Sequence, residues 1–493
     1  MLPWKNLILI QKTSSVPVYQ QIANSIIQHI RSGVIKRGMK MPGTRELSQL
    51  LSVHRKTMVS AYDELDAQGW IHSLPSKGTF VSDQLPEIHP RKLETVSPGN
   101  FRWEKTGYNF RINPFIKPST KPLRDMIGFH DGPDVRLVPV DAWGRSYRSV
   151  LSRKSGLHHL SYVQENGNYE LRKVLSEELN TTRGMQTTPE HIFITRGSQM
   201  AMFMLAMVLI AAGDQVVVGQ TNYYYTDRAL MAAGARLVRI PVDDEGIDVD
   251  ELEKICKRKK IRAVYVTSHH HFPTTVTLCA ARRMKLLALA EKFGFIIIED
   301  DYDYDLHYES SPLLPVASAD RNGMVAYIGT LSKTVAPALR LGYVAAPLNL
   351  IAELGKIRQV IDIQGDPVLE QAVAEMFSLG EIRRHMKKVL REYHLRRDFL
   401  CSQLKKRFAE LIQFKTPEGG LSVWARFDKS IPLPALHERM KKKGVIISSG
   451  MIHNTDPKMN LNATRMGFGW MNTQETGRSL EVLDETIAEM RKG

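Results

Sequence analysis

Cysteine is scarce in this chain: Cys256, Cys279 and Cys401 are the only three among 493 residues. They are scattered and odd in number, so neither a disulfide framework nor a zinc spacing is present, and the cytoplasm is the expected compartment. Long apolar runs are missing too. The longest, Met200–Ala212, is too short to cross a bilayer and reads as a buried helix. The opening stretch M-L-P-W-K-N-L-I-L-I-Q-K has too short an apolar run for a secretory signal, and no membrane partner is expected. Acidic residues are in deficit, 52 against 67 Lys and Arg, for a net charge of +15. Residues 1–85 hold ten basic against five acidic side chains, and residues 86–125 hold eight against four. Positive charge is therefore densest at the N-terminal end, as a phosphate-binding surface requires. With 43% apolar and 24% charged residues, the composition is that of a globular protein, and the length calls for two or three domains.

The first 82 residues read as one domain. Tyr19, Ile22, Ala23, Ile26, Ile27 and Ile30 recur at helical spacing and predict an amphipathic helix over 17–32, with Pro17 in its first turn and Gly33 ending it. After the turn Met41-Pro42-Gly43, Thr44 is placed to cap a second helix carrying Leu47, Leu50 and Leu51. A third helix follows Ser52-Val53, with Met58, Val59, Tyr62 and Leu65 inward and Gly69 at its end. Residues 70–81 then read as two short strands around a Pro/Gly turn. Three helices and a wing make an α+β winged helix-turn-helix, whose third helix enters the major groove of double-stranded DNA by its N-terminal end. That end carries His54, Arg55, Lys56 and Thr57. Arg55 suits a bidentate guanine contact. Arg45 and Lys56 suit phosphates, and Lys77 falls at the wing tip.

Residues 83–125 are rich in Pro, Lys and Arg with weak periodicity, and read as a linker. Phe101, Trp103, Tyr108 and Phe110 make its middle too apolar for a pure tether.

Residues 126–493 form the second domain. Short apolar strands at Ile192–Thr195, Gln215–Val218, Arg236–Ile240, Ala263–Thr267, Phe295–Glu299 and Met324–Ile328 alternate with helical stretches. This predicts an α/β domain with a mostly parallel sheet, whose ligands sit at the carboxyl ends of the strands. Lys333 follows the last of these strands on the short loop I-G-T-L-S-K, a suitable anchor for an amine that forms a Schiff base. Asp300, in I-I-I-E-D-D-Y-D, is placed to pair with a protonated pyridine nitrogen, and Tyr302 to donate to a phenolic oxygen. Gly197, Ser198 and Gln199 open the apolar helix and form a phosphate cup, completed by Ser332 and Arg340. The loop around Lys333 is not a Walker A motif, since its glycines are absent. Together these residues point to pyridoxal 5′-phosphate. No metal is expected from Asp300–Asp305 or from His269, His270 and His271, because consecutive strand residues face opposite ways.

L-S-V-H-R-K-T-M-V-S-A-Y-D-E-L-D-A-Q-G-W-I and S-K-G-T-F-V resemble the GntR family of bacterial repressors. S-Y-V-Q-E-N-G-N-Y-E-L-R, I-T-R-G-S-Q-M-A, R-R-M-K-L-L-A-L-A, I-I-I-E-D-D-Y-D and Y-I-G-T-L-S-K resemble fold-type I aminotransferases. Nearly the whole chain is similar to the MocR/GabR subfamily of GntR regulators. The resemblance implies the cofactor on Lys333, its ring held by Asp300 and Tyr302, its phosphate by Ser198, Ser332 and Arg340, and Tyr223 stacked on the ring. It also implies that Arg465 grips an amino acid's carboxylate, that His270 or His271 contacts the cofactor, and that the chain forms a homodimer, with swapped DNA heads. The chain departs from the family in three places. His54 stands where serine is usual, and neutral histidine is expected to be a poorer cap. T-S-H-H-H-F-P-T-T (267–275) replaces T-P-S-H-Q-F-P-T-G, and G-Q-T-N-Y (219–223) replaces E-D/N-P-G-Y. A regulator that senses an amine or amino acid by external aldimine formation, a working aminotransferase with a DNA-binding head, and a domain that only dimerises all remain open at this point. The intact basic head favours the first. Retention of Lys333, Asp300 and Arg340 opposes the last.

Overall fold

The structure is a computed structural model that describes residues 2–11, 14, 16–85, 108–109, 126–309, 313–454 and 459–492. The chain divides into two units, Met1–Phe110 and Arg111–Gly493. Most of the linker read at 83–125, including Phe101, Trp103 and Phe110, lies outside the described residues.

In the first unit, α1 (Trp4–Leu7), α2 (Val18–Arg31), α3 (Thr44–Leu50) and α4 (Arg55–Ala67) precede the antiparallel pair β1 (Ile71–Leu74) and β2 (Gly78–Val81). The isoleucine stripe of α2 packs on Leu47, Met58, Tyr62 and Leu65, so the expected period-3.6 faces meet in one core. Three details differ from expectation. Val59 is 37% exposed, because Ala61 rather than Val59 shares the inner face with Met58 and Tyr62. Leu50 is also exposed, at the end of α3. Gly43, not Thr44, is the cap residue of α3. His54 does cap α4: its Nδ1 accepts from the Lys56 backbone N–H at 3.2 Å. The imidazole thus takes the role expected of serine, and helix entry is kept.

Helix α1 was not expected. Trp4 and Ile8 are 6% and 3% exposed within the head's core. Ser25 Oγ and His29 Nε2 both bond to the Leu7 carbonyl, at 3.0 and 2.8 Å. The apolar opening stretch is therefore part of this core.

The second unit is built on a seven-stranded sheet. Its spatial order is Ile192–Thr195, Gly342–Ala345, Val325–Thr330, Ile296–Asp301, Ala263–Val266, Gln215–Gly219, Arg236–Ile240. All six expected strands are present within two residues of the expected bounds. Five of them are buried almost throughout and read as continuous apolar runs, whereas Arg236–Ile240, at the sheet edge, is only partly buried. The seventh, Gly342–Ala345, pairs antiparallel with both of its neighbours and was not foreseen. The Met200–Ala212 run is the helix Ser198–Leu209, which packs on this sheet with Phe203 and Met207 left exposed. Among the described residues no helix is long and apolar enough to cross a membrane.

A smaller antiparallel sheet, Ile412–Gln413, Ser422–Phe427 and Ala463–Gly467, shares a core with the helices Glu381–Phe408 and Thr473–Lys492. The strand Ile127–Gly128 pairs with Val445–Ile446, and Gly467 N–H donates to the Phe129 carbonyl at 3.3 Å. This ties residues 127–131 to the strand that carries Arg465. Truncating Trp4 to alanine should cost about 3 kcal/mol. In denaturant, the unfolding transition assigned to the head should fall to lower concentration; an unmoved transition would show that α1 contributes nothing to that core.

Candidate functional site

Parallel pairing places the chemistry. Asp300 is opposite Ile328 and Asp301 opposite Gly329, so the strand Val325–Thr330 delivers the following Lys333 loop to the same sheet edge as Asp300. A cavity of about 270 Å³ opens there, lined by Asp131, Tyr223, Tyr224, Tyr265, Thr267, Phe272, Asp300, Tyr302, Lys333 and Ile452. Four of the expected residues, Lys333, Asp300, Tyr302 and Tyr223, therefore share one wall-to-wall space.

Asp300 is buried, and its Oδ2 accepts from the Tyr265 hydroxyl at 2.8 Å. Among the described residues its Oδ1 has no hydrogen-bond partner. Burial pushes this carboxyl up to about 7 against the Tyr265 hydrogen bond, and the charges of Asp301 and Asp303 add to the rise. A desolvated carboxyl with one idle oxygen on a cavity wall is matched by a buried N–H cation, such as the protonated ring nitrogen of pyridoxal phosphate. The Tyr302 hydroxyl donates to the His270 carbonyl at 2.9 Å. The Tyr223 ring meets Phe272 edge-on, 4.9 Å between centroids. Lys333 Nζ makes a long contact, 3.5 Å to the Asp131 carbonyl.

The phosphate-cup residues gather beside the Lys333 loop, around the start of helix Ser198–Leu209. Gly197 caps that helix with φ +79°, and a side chain there would strike the Arg340 guanidinium. Arg340 itself has φ +51°; its Nη2 donates to the Arg196 carbonyl at 3.2 Å and its Nη1 to Ser332 Oγ at 3.5 Å. The first N–H groups of a helix lack intrahelical acceptors, which suits an anion beside Ser198 and Arg340. The Gln199 amide instead reaches the Tyr225 carbonyl at 3.4 Å.

The three histidines take separate partners. His269 faces Asp301 at 3.3 Å, His270 faces Asp303 at 2.8 Å, and His271 Nδ1 faces Thr274 Oγ1 at 2.9 Å. Neither His271 nor His270 is among the residues lining the cavity, which departs from the expected cofactor contact. Burial, with Arg465 nearby, pushes His271 down to about 3, so it is neutral. Thr275 sits at φ +62° where the resembled loop ends in glycine, a conformation β-branched residues rarely hold. Among the described residues no group of three or more His, Cys, Asp or Glu converges as metal ligands.

Arg465 is buried on the strand Ala463–Gly467. Its Nε and Nη2 donate to Asp131 at 2.9 and 3.1 Å, and its Nη1 donates to the Pro273 carbonyl at 3.2 Å. Asp131 and Tyr265 were not singled out from the sequence. A tyrosine inside the otherwise aliphatic strand A-V-Y-V was the available signal for Tyr265; Asp131, in H-D-G-P-D, carried none.

On the first unit, His54, Arg55 and Lys56 are exposed at the start of α4, with Thr57 half-buried beside them. Arg45 is exposed on α3, and Lys77 is exposed in the β1–β2 turn. The expected DNA-facing residues thus occupy the helix entry, the preceding helix and the wing tip.

Residues 138–476 match the aminotransferase class I and II family, and residues 18–81 match the gntR family of bacterial regulatory proteins. The chain belongs to the aminotransferase class I and II family, behind a gntR-family head. It is similar to the uncharacterized HTH-type transcriptional regulator YdfD of Bacillus subtilis, 27% identical over 97% of this chain and 98% of that protein. It is also similar to the probable rhizopine catabolism regulatory protein MocR of Rhizobium meliloti, 25% identical over 90% of this chain and 88% of that protein. Among solved structures, the multiple substrate aminotransferase of Thermococcus profundus overlays with a TM-score of 0.69 at 27% identity, covering 76% of this chain and 96% of that one. This is the MocR/GabR architecture: a regulator with a DNA-binding gntR head and a domain of a pyridoxal phosphate-dependent family.

A carboxyl raised from its ordinary 3.8 to about 7 stays neutral in the fold while the unfolded chain is already ionised. The cofactor-free parent should therefore lose stability relative to Asp300→Asn as pH rises from about 4 to about 7, by on the order of 4 kcal/mol, with no further change above. Thermal unfolding of both proteins across that range measures it; a pH-independent difference would show that Asp300 is not desolvated.

Proposed function

We propose that this chain is a transcriptional regulator that senses a small amine or amino acid through pyridoxal phosphate held on Lys333. The observation that carries this reading is the convergence of Lys333, Asp300 and Tyr302 on one cavity, in a chain whose other end is a gntR head. When bound, the cofactor supplies an aldehyde that exchanges amines and a ring that withdraws electrons. The residues assigned to it are Asp300 for the ring nitrogen, Tyr302 for the ring oxygen, Tyr223 for the ring face, and Ser198, Ser332 and Arg340 for the phosphate. Asp300 keeps the ring nitrogen protonated, because a cation there relieves its unpaired Oδ1. Tyr223, Tyr265 and Phe272 line the cavity beside Lys333 with aromatic rings.

For sensing, an incoming amine takes the place of the Lys333 amine. A freed Lys333 and an occupied cavity then favour one arrangement of the protein, and DNA affinity changes with it. Arg55 is assigned to base recognition, with His54, Thr57, Arg45, Lys56 and Lys77 positioning the duplex. We assign a homodimer, which would present two heads to a repeated operator. A working aminotransferase is the second reading. It is favoured by the complete lysine–aspartate–arginine set and by 30% identity to aromatic-amino-acid aminotransferase 1 of Thermococcus litoralis, over 75% of this chain and 89% of that one.

The test uses full-length protein loaded with pyridoxal phosphate and a duplex selected by the protein from a random pool. An effector amine should change duplex affinity by about five-fold or more. Lys333→Ala should abolish that response, and Arg55→Ala should weaken selective binding by about ten-fold or more. Multiple-turnover amino transfer to a keto acid with no change in DNA affinity would favour the enzyme reading instead.

A further inference from the structure

The seat expected for an amino acid's carboxylate is already taken. Arg465 offers its Nε and Nη2 edge to a carboxylate, the bidentate geometry for which guanidinium is suited. Here that edge holds Asp131, at 2.9 and 3.1 Å, and Nη1 is committed to the Pro273 carbonyl. Ser422 Oγ adds a third hydrogen bond to Asp131, at 2.7 Å. Desolvation opposes ionisation of Asp131, yet Arg465 and Lys333 hold its carboxyl well below the usual range. The pair is therefore a full ion pair, joined from below by a hydroxyl.

The backbone keeps Asp131 there. The pairing of Ile127–Gly128 with Val445–Ile446 and the Gly467–Phe129 hydrogen bond fix residues 127–129 against the strand of Arg465. An intramolecular carboxylate held this way competes at an effective concentration that a dilute free carboxylate does not reach. The charges of Arg465 and Asp131 cancel, so the pair presents no net positive charge to a free carboxylate. Asp131 also stays 29% accessible and lines the cavity with the aromatic rings of Tyr223, Tyr224, Tyr265 and Phe272.

We infer that the cavity selects a primary amine with an apolar or aromatic body and no carboxylate beside the amino group, and that Asp131 is the residue that excludes amino acids. This rests on the reading that Lys333 carries the cofactor, and it narrows the effector class that reading left open.

Matched pairs test it: phenethylamine against phenylalanine, and tyramine against tyrosine. The readout is the ligand concentration that half-shifts the absorbance of pyridoxal phosphate bound to the full-length protein. In the parent, each amine should act at about ten-fold lower concentration than its amino acid, or less. In Asp131→Asn, which leaves the Arg465 edge without an anionic partner, the gap should close or reverse. Ser422→Ala, which loosens Asp131 without removing its charge, should narrow it. Equal or tighter action of the amino acids on the parent overturns the inference, whatever the variants do. So does a ratio unchanged in a folded Asp131→Asn protein. A preparation that takes up no cofactor overturns the Lys333 reading and this inference with it, whereas one that takes up cofactor but prefers amino acids overturns this inference alone.

Discussion

One carboxyl sets the terms for the rest of the second unit. Asp300 is desolvated at the end of a parallel strand, with one oxygen bonded to Tyr265 and the other idle. An isolated buried carboxylate is costly, so its pKa rises unless a cation arrives. The fold holds Asp300 there through strand pairing on both sides, to Val325–Thr330 and to Ala263–Val266. The first neighbour also delivers Lys333, and the second supplies Tyr265. Register alone therefore places a proton-seeking acid, its hydroxyl partner and an amine around one space.

The cavity draws Asp131 from elsewhere in the unit. Asp131 lies on the segment strapped to the small antiparallel sheet, and Arg465 of that sheet holds its carboxylate from behind the wall. The large sheet thus positions Asp300, Tyr265 and the Lys333 loop, while Arg465 and its partner Asp131 belong to the small sheet and the segment strapped to it.

Much of this was legible beforehand, for physical reasons. Strands buried on both faces must be aliphatic throughout, so V-V-V, A-V-Y-V and I-I-I stood out. Short loops after strands drew attention to Lys333, Asp300 and the Gly197–Ser198 turn. The strand Gly342–Ala345 escaped notice because it is four residues long and opens with glycine. Helix α1 escaped because Trp4 and Ile8 only make sense against the later helices α2 and α3. The Asp131–Arg465 pair spans 334 positions, and no local pattern encodes such a contact. His54 serves as the cap in place of the usual serine because its Nδ1 lies within reach of the Lys56 N–H.

The most direct measurement of the central claim is chemical trapping. Borohydride reduction of the protein incubated with pyridoxal phosphate, followed by proteolysis and mass spectrometry, locates the lysine to which the cofactor is bound. The account requires a single phosphopyridoxyl group on the peptide containing Lys333, and its loss when excess amine is added before reduction. A label spread over surface lysines, or none at Lys333, would contradict it.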